Sequence, residues 1–313
     1  MKIYINLFIQ TFKYTHRPQP QMKHTLFITI SLIIFFFFTQ LIGLAVINQY
    51  ISPEIVDDKV TFTELPFDIE RPPIEESFSF IYILFAVLIA TAAILIIIKW
   101  KKLKLWKAWY LLAVIACMTF AFFNTFGQTL AVTLAIILGV WKVFKPNVII
   151  HNLTEVAIYP GLAAIFVPIM NIFAAIALLL LISVYDIYAV NKSKHMVSIA
   201  NFQSEAKTFA GLNIPYKLGS LKKPKGPTKT VQVKHAVLGG GDIGFPLIFA
   251  GVVMKTLLPT SPNLAFISAV IIAIGATAAL AYLLLSAKKD KFYPAMPYIT
   301  AGCLIGYSIT LLL

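Results

Sequence analysis

Long apolar runs separated by short polar segments dominate this sequence. Several of them, beginning with Leu26 to Ile47, exceed the roughly 18 residues that a helix needs to cross a bilayer. Hydrophobic residues make up 59% of the 313 residues and charged residues only 12%, a balance outside the range of soluble domains. The sequence therefore predicts an all-α polytopic membrane protein.

Nine of the runs are predicted to be transmembrane helices. They cover residues 26–48, 78–98, 107–125, 128–144, 153–167, 169–190, 236–258, 263–286 and 295–313. The first run is too long for the core of a cleaved signal peptide, which is usually about 7–15 residues. It is interpreted as the first membrane helix.

The segments between the predicted helices alternate in charge. Segment 50–77 is acidic, whereas the leader 1–25 and the segments after helices two, six and eight are rich in lysine, and Lys145 follows helix four. By the positive-inside rule the N-terminus is cytoplasmic, the C-terminus external and segment 50–77 external. The chain is then one membrane domain, with helices 1–6 in 26–190, a mobile cytoplasmic loop at 191–235 and helices 7–9 in 236–313. Because the lysines lie in loops, the net charge of +13 does not indicate a nucleic-acid partner.

Two aspartates stand inside apolar runs. Thirteen residues of the chain are acidic, and eight of them lie between Glu54 and Glu76, which makes Asp186 and Asp242 exceptional. An ionisable group in hydrocarbon must be paired, solvated or protonated, so it is a functional hypothesis by default. With no lysine or arginine expected inside the membrane to neutralise them, the pair suggests acid–base chemistry or cation handling.

The residues around Asp242 favour an accessible site. Gly239, Gly240 and Gly241 precede it, and each interior glycine costs a helix about 1 kcal/mol relative to alanine. Pro246 removes the hydrogen bond to the Asp242 carbonyl. We expect a loosely wound entrance before Asp242 and a kink after it.

The predicted depth of the two aspartates is similar, a few residues from the cytoplasmic face. If helices six and seven pack together, the carboxyls can face each other and share one proton. One carboxylate then activates water as a general base, while the other group protonates or polarises a scissile carbonyl. The alternative is that each aspartate only bonds to a neighbouring helix.

Three motifs in order carry a family resemblance. They are Tyr185-Asp186 in the sixth helix, Gly239-Gly240-Gly241-Asp242 in the seventh, and Pro294-Ala295-Met296, followed by Pro297, at the ninth. The pattern resembles the intramembrane aspartyl proteases of the presenilin and signal peptide peptidase family, whose signature is Tyr-Asp, Gly-x-Gly-Asp and Pro-Ala-Leu. Met296 stands where that family has leucine.

The resemblance implies a presenilin-like Gly-x-Gly-Asp protease fold and an aspartic endopeptidase that cleaves within transmembrane segments. Asp186 and Asp242 would be the catalytic pair, and the other residues of the motifs would shape the site and receive substrate. The implied partners are single-span membrane proteins or peptides and the lipid bilayer, with no cofactor and no metal. The implied protein is an archaeal homologue that acts without accessory subunits, and a homo-oligomer remains open.

Other classes of protein remain alternatives to an intramembrane aspartyl protease. A cation leak channel or proton-coupled transporter would use the same acids, but would not account for the Pro-Ala-Met motif. A prepilin peptidase also uses a Gly-x-Gly-Asp aspartate, yet the cytoplasmic cysteine cluster that many of them carry is missing. No His-Glu-x-x-His motif occurs, and no histidine is placed to activate Ser183, which disfavours zinc and serine proteases.

Two segments are candidates for holding an unwound substrate. Thr230 to Val237 alternates as a strand does, and the prolines around Ala295 favour extended backbone. We expect both to form or order a small sheet when substrate binds. For the loop between helices six and seven, the alternative of a simple solvated linker stays open.

Overall fold

A computed structural model describes residues 25–56, 59–190, 199, 202–203, 206, 208–215, 235–287 and 293–313. The basic leader, most of the loop between helices six and seven, and Lys288 to Lys291 lie outside the described residues. The cytoplasmic-loop prediction and the proposed strand at 230–234 therefore stay predictions.

Within the described residues the chain forms nine long helices. They are α1 (Leu26–Tyr50), α2 (Ser79–Lys99), α3 (Leu103–Phe126), α4 (Gln128–Phe144), α5 (Val148–Phe166), α6 (Ile172–Tyr188), α7 (Gly240–Leu257), α8 (Pro262–Ser286) and α9 (Met296–Thr310). The mostly helical fold confirms the predicted class.

Six of these helices are long and apolar enough to cross a membrane. They are α1, α2, α3, α5, α7 and α8. Helices α4 and α6 are apolar but 17 residues long, and α9 has 15 residues. The protein is thus a multi-pass membrane protein, and the count of nine crossings stays a prediction.

Helix boundaries differ most from the prediction at the start of α5, and next at the starts of α3 and α7, each by four residues. Helix α5 begins at Val148, five residues before the predicted start, because the Asn147 side chain accepts a hydrogen bond from the Ile149 backbone N–H and caps it. Helix α7 begins only at Gly240, because the residues before it form a strand. An apolar stretch before a helix does not reveal by hydrophobicity alone where strand ends and helix starts.

Four short strands form two antiparallel pairs. In the first pair, β1 (Ile51–Val56) pairs with β2 (Lys59–Phe62) inside the acidic segment 50–77. The other pair is β3 (Gly211–Pro215) with β4 (His235–Gly239), in the register Gly211 to Gly239 through Pro215 to His235. Since β4 runs directly into α7, this second sheet is attached to the helix that carries Asp242.

The main core lies among α1, α5, α6, α7, α8 and α9, with side chains from β3 and β4. Helix α7 is central and packs against α5, α6, α8 and α9. Helices α8 and α9 approach most closely at glycines, because a Cβ on Gly302 would overlap the Gly275 carbonyl oxygen. Large apolar side chains cover the outer surface of the bundle, as expected where helices face lipid.

Candidate active site

Asp186 lies near the C-terminal end of α6, where its carboxylate meets the start of α9. The Met296 backbone N–H donates to Asp186 Oδ2 at 3.1 Å, and the Ala295 backbone makes a second hydrogen bond to it. The first turn of a helix presents N–H groups without partners in the helix, which bind anionic groups. The Pro-Ala-Met motif therefore positions Asp186 through its backbone.

The sequence predicts extended backbone from Pro294 to Pro297, and this is wrong for the last three residues, because Ala295 already has helical φ and ψ angles. Helix α9 starts at Met296, with Pro297 in its first turn. Proline is well tolerated there because its missing N–H would have had no helical partner. In the described residues the motif is thus a helix start aimed at Asp186, and it contributes no strand.

Asp242 lies in the first turn of α7, half-buried. The Gly239 backbone N–H donates to its carboxylate. A Cβ on Gly239 would lie only 3.1 Å from Asp242 Oδ2, so the glycine leaves room for this carboxylate to fold back. Backbone groups therefore hold both carboxyls: those of the Pro-Ala-Met motif hold Asp186, and Gly239 of its own motif holds Asp242.

The two aspartates lie on α6 and α7, which pack against each other. They lie close enough for their charges to interact, and α9 packs against both helices. Tyr185, which precedes Asp186, is half-buried beside them. Three motifs that are far apart in the sequence thus meet at one place in the fold.

Gly240 marks the closest approach of another helix to this site. A Cβ on Gly240 would lie 2.9 Å from the Tyr159 hydroxyl oxygen and 3.1 Å from its ring. At Gly241, the added atom would meet only the Phe245 ring, at 3.3 Å. The second glycine of the triplet is therefore needed for packing against α5, as the expected close approach requires.

Pro246 lies inside α7, one turn beyond Asp242. The Gln40 side chain of α1 donates to the Ile243 carbonyl at 2.9 Å. A neighbouring helix thus supplies a donor to the backbone near the proline, as membrane helices with proline require.

The expectation that no basic side chain lies inside the membrane helices is wrong. Lys142 of α4 and Glu155 of α5 form a buried ion pair, with 2.6 Å between Nζ and Oε1. Lys255 of α7 is also largely buried, and donates to the Pro168 and Met170 carbonyls at 2.9 and 2.8 Å. Lys142 resembled a loop lysine because it stands next to Lys145 at the end of an apolar run. Glu155 is an acidic residue at the start of an apolar run, and this was the sequence signal that could have revealed the pair.

No group of three or more histidine, cysteine, aspartate or glutamate side chains that could hold a metal occurs among the described residues.

Fold and site together define a class: a multi-pass helical membrane protein in which two carboxyls meet at the junction of three helices. Residues 43–313 match the family described as signal-peptide peptidase, presenilin aspartyl protease, and the chain belongs to that family. It is accordingly an aspartic protease, and the predicted family is confirmed.

Two solved structures of a presenilin family intramembrane aspartate protease, in space groups C222 and P2, have the same fold. They superpose with TM-scores of 0.58 and 0.59 at 16% sequence identity, and cover 90% of this chain and 95% and 96% of their own. No curated protein matches the sequence.

Proposed function

We propose that this protease hydrolyses peptide bonds within the transmembrane segments of single-span membrane proteins, with Asp186 and Asp242 as its catalytic pair. The observation that supports this most directly is the approach of the two carboxyls where α6, α7 and α9 meet. Like charges this close resist double ionisation, so the pair shares one proton.

The chemistry then follows the two protonation states. The ionised carboxylate removes a proton from water, and the oxygen of that water attacks the scissile carbonyl carbon. The protonated carboxyl donates its proton to the carbonyl oxygen, which gives a tetrahedral diol. When the C–N bond breaks, the nitrogen takes one proton from the pair and the diol returns another. The pair ends with the single proton with which it began.

Backbone hydrogen bonds fix the orientation of both carboxyls before substrate arrives. Ala295 and Met296 hold Asp186, and Gly239 holds Asp242. Preorganised groups lose little entropy in the transition state, so this arrangement favours catalysis. It also gives the Pro-Ala-Met motif a catalytic role without direct contact between its side chains and substrate.

The test is cleavage of a single-span substrate by purified protein in proteoliposomes. We expect Asp186→Ala and Asp242→Ala each to abolish cleavage, because the remaining carboxyl cannot serve as both acid and base. Glu75→Ala, which removes an exposed acid from segment 50–77, is the matched control and should cleave at the wild-type rate. More than a few per cent of activity in either aspartate variant would refute the pair.

The ion-conducting alternative finds no support in the family or the structural relatives. A cation flux assay on the same proteoliposomes separates the two functions. Flux that depends on Asp186 and Asp242, without any cleavage, would favour a channel or transporter over the proposed protease.

A further inference from the structure

We propose that Glu155 is a positioning residue, which holds the first turn of α7, and with it Asp242, through a single peptide group of the segment before β3. Glu155 is 1% exposed and lies on α5, outside the three motifs. The evidence is its set of hydrogen bonds, which extends from a buried lysine to the backbone next to Asp242.

Both oxygens of the Glu155 carboxylate are fully engaged. Oε1 accepts from Lys142 Nζ at 2.6 Å, and the Tyr110 hydroxyl, which donates to the Phe209 carbonyl at 2.7 Å, lies 3.4 Å from it. Oε2 accepts from the Tyr159 hydroxyl and from the Gly211 backbone N–H, the latter at 2.9 Å. A buried charge with this many donors holds its partners in one arrangement, and removing it leaves several of them unpaired.

Lys142, the ion-pair partner of Glu155, also forms several hydrogen bonds. Lys142 Nζ donates to the Thr154 hydroxyl at 2.9 Å and the His151 carbonyl at 3.2 Å, in addition to Glu155. Lys142 is therefore fixed against α5, and its ammonium group holds the Glu155 carboxyl group in place.

The first connection to the active site passes through the peptide group that joins Ala210 and Gly211. Its N–H donates to Glu155, and its C=O accepts from the Gly240 backbone N–H at 3.2 Å. Gly240 is two residues before Asp242. A shift of this one peptide group would thus move the start of α7 directly.

The second connection passes through Tyr159. Its hydroxyl bonds to Glu155, and the same hydroxyl and ring lie against Gly240, where a Cβ would be 2.9 and 3.1 Å away. Gly240 is therefore held by a hydrogen bond on its backbone and by an aromatic ring at its Cα. Glu155 bonds to the partner groups of both contacts, the Gly211 N–H and the Tyr159 hydroxyl.

The proposal can be tested by comparing Glu155→Gln with Lys255→Met. Glutamine keeps the size of the side chain but has one acceptor oxygen, so it cannot accept from Lys142 on one side and from Gly211 and Tyr159 on the other. When that oxygen turns to the buried Lys142 ammonium, the amide NH2 faces the Gly211 N–H, which then has no acceptor. Lys255→Met removes a buried charge from the same helix at its far end, away from Asp242. The two variants are expected to lower the melting temperature to a similar degree.

The first readout is amide hydrogen exchange in detergent micelles, which does not depend on catalysis. We expect Glu155→Gln to speed exchange at Gly240 to Gly244 and to leave the last turn of α7 unchanged. Lys255→Met should speed exchange in the last turn of α7 and leave Gly240 to Gly244 unchanged. Unchanged exchange at Gly240 to Gly244 in Glu155→Gln would overturn the proposal.

The second readout is the rate of cleavage, and it rests on the proposed function of Asp242. Since misplacing a catalytic group by about 1 Å can cost roughly 100-fold, we expect kcat of Glu155→Gln to fall about 10- to 100-fold with little change in KM. Lys255→Met should keep its kcat below its melting temperature. Equal losses of kcat in the two variants would reduce Glu155 to a merely structural residue and overturn the proposal.

Tyr159→Phe keeps the test decisive if Glu155→Gln does not fold. It removes one of the two connections while the ion pair and the ring remain, and we expect a smaller increase in exchange at Gly240 and a kcat reduced several-fold. Wild-type exchange and wild-type kcat in this variant would contradict the proposal. A wild-type protein that cleaves nothing, with the expected exchange pattern intact, would refute the proposed function and leave the positioning role standing.

Discussion

At the scale of residues, the candidate site depends on carboxyls that are held by backbone N–H groups. Asp186 is bound by the start of α9, and Asp242 by the glycine that ends β4. Backbone donors carry no charge that would neutralise a carboxylate outright, so they orient the two groups while their mutual repulsion remains. That repulsion lets the pair keep one proton, as acid–base catalysis requires.

A shared proton predicts a bell-shaped dependence of cleavage rate on pH. At low pH both carboxyls are protonated and no base remains, whereas at high pH both are ionised and no acid remains. We expect activity to fall on both sides of a single maximum. The measurement is kcat of purified protein in micelles across acidic to alkaline pH, and a flat profile would argue against carboxyl catalysis.

Gly240→Ala is predicted to lower activity because its Cβ would collide with Tyr159. That ring is 4% exposed and its hydroxyl is bonded to Glu155, so it cannot move aside freely. Overpacking of this kind costs about 1–3 kcal/mol. The matched control is Gly244→Ala in the same helix, where the Cβ would meet its nearest atom at an ordinary 3.7 Å.

The measurement is the cleavage rate and melting temperature of both glycine variants. We expect Gly244→Ala to behave like the wild type and Gly240→Ala to lose most of its activity. The same behaviour in both variants would show that the contact with Tyr159 is unimportant.

At the scale of elements, the two edges of the β3–β4 pair differ. Side chains of α5 bond to the outer edge of β3: Asn152 pairs with both the N–H and the carbonyl of Asn213, at 2.9 and 2.8 Å. Along each strand of an antiparallel pair, residues whose backbone N–H and C=O bond to the partner strand alternate with residues whose backbone groups point outward. The backbone N–H and C=O of Asn213 point away from β4. Those of its partner Val237 therefore point away from β3.

We propose that an unwound substrate adds to the sheet at Val237. A substrate helix must open before its peptide bonds become accessible, and its freed backbone groups need new partners inside the membrane. Strand addition along the outer edge of β4 supplies them. This edge leads directly through Gly239 to Asp242, so a bound strand would be delivered to the proposed pair.

Val237→Pro is predicted to impair cleavage, because it removes the outward N–H without breaking a bond to β3. Val237→Thr keeps the donor and the branched shape and serves as its control. We expect a higher KM for the proline variant and near wild-type kinetics for the threonine variant. Undiminished cleavage by Val237→Pro would exclude strand addition at this position. Proline at Val231 or Val233, outside the described residues, extends the same test along the chain.

At the scale of the whole molecule, the lysine pattern sets the proposed orientation. The lysine-rich segments follow helices two, six and eight, and Lys145 follows helix four, so the N-terminus is predicted to be cytoplasmic and the C-terminus external. Cleavage requires one chain polarity across the two carboxyls. We therefore expect substrates with an external N-terminus to be preferred.

The measurement is cleavage of two matched substrates that span the membrane in opposite directions, combined with protease protection of segment 191–235 in sealed vesicles. Equal cleavage of both substrates would remove the polarity argument. Protection that places the segment outside would reverse the orientation itself.

The sequence by itself determined the class and the family, and it predicted the two aspartates of the proposed pair. Apolar runs of membrane-spanning length identify helices without any knowledge of their neighbours, and an acid such as Asp186 or Asp242 stands out because hydrocarbon tolerates it so poorly. The three motifs then placed both residues in a known family. These signals are local in the chain, which is why they could be predicted.

Only the tertiary structure decided how the site is held together. The bond from Glu155 to Gly211 joins residues 56 positions apart, and the bond from Met296 to Asp186 spans 110 positions. Lys142 looks like a loop lysine in sequence, and becomes a buried partner only because α4 packs next to α5. Hydrophobicity determines which segments enter the membrane, but the pairing of their few polar groups depends on which helix faces come into contact.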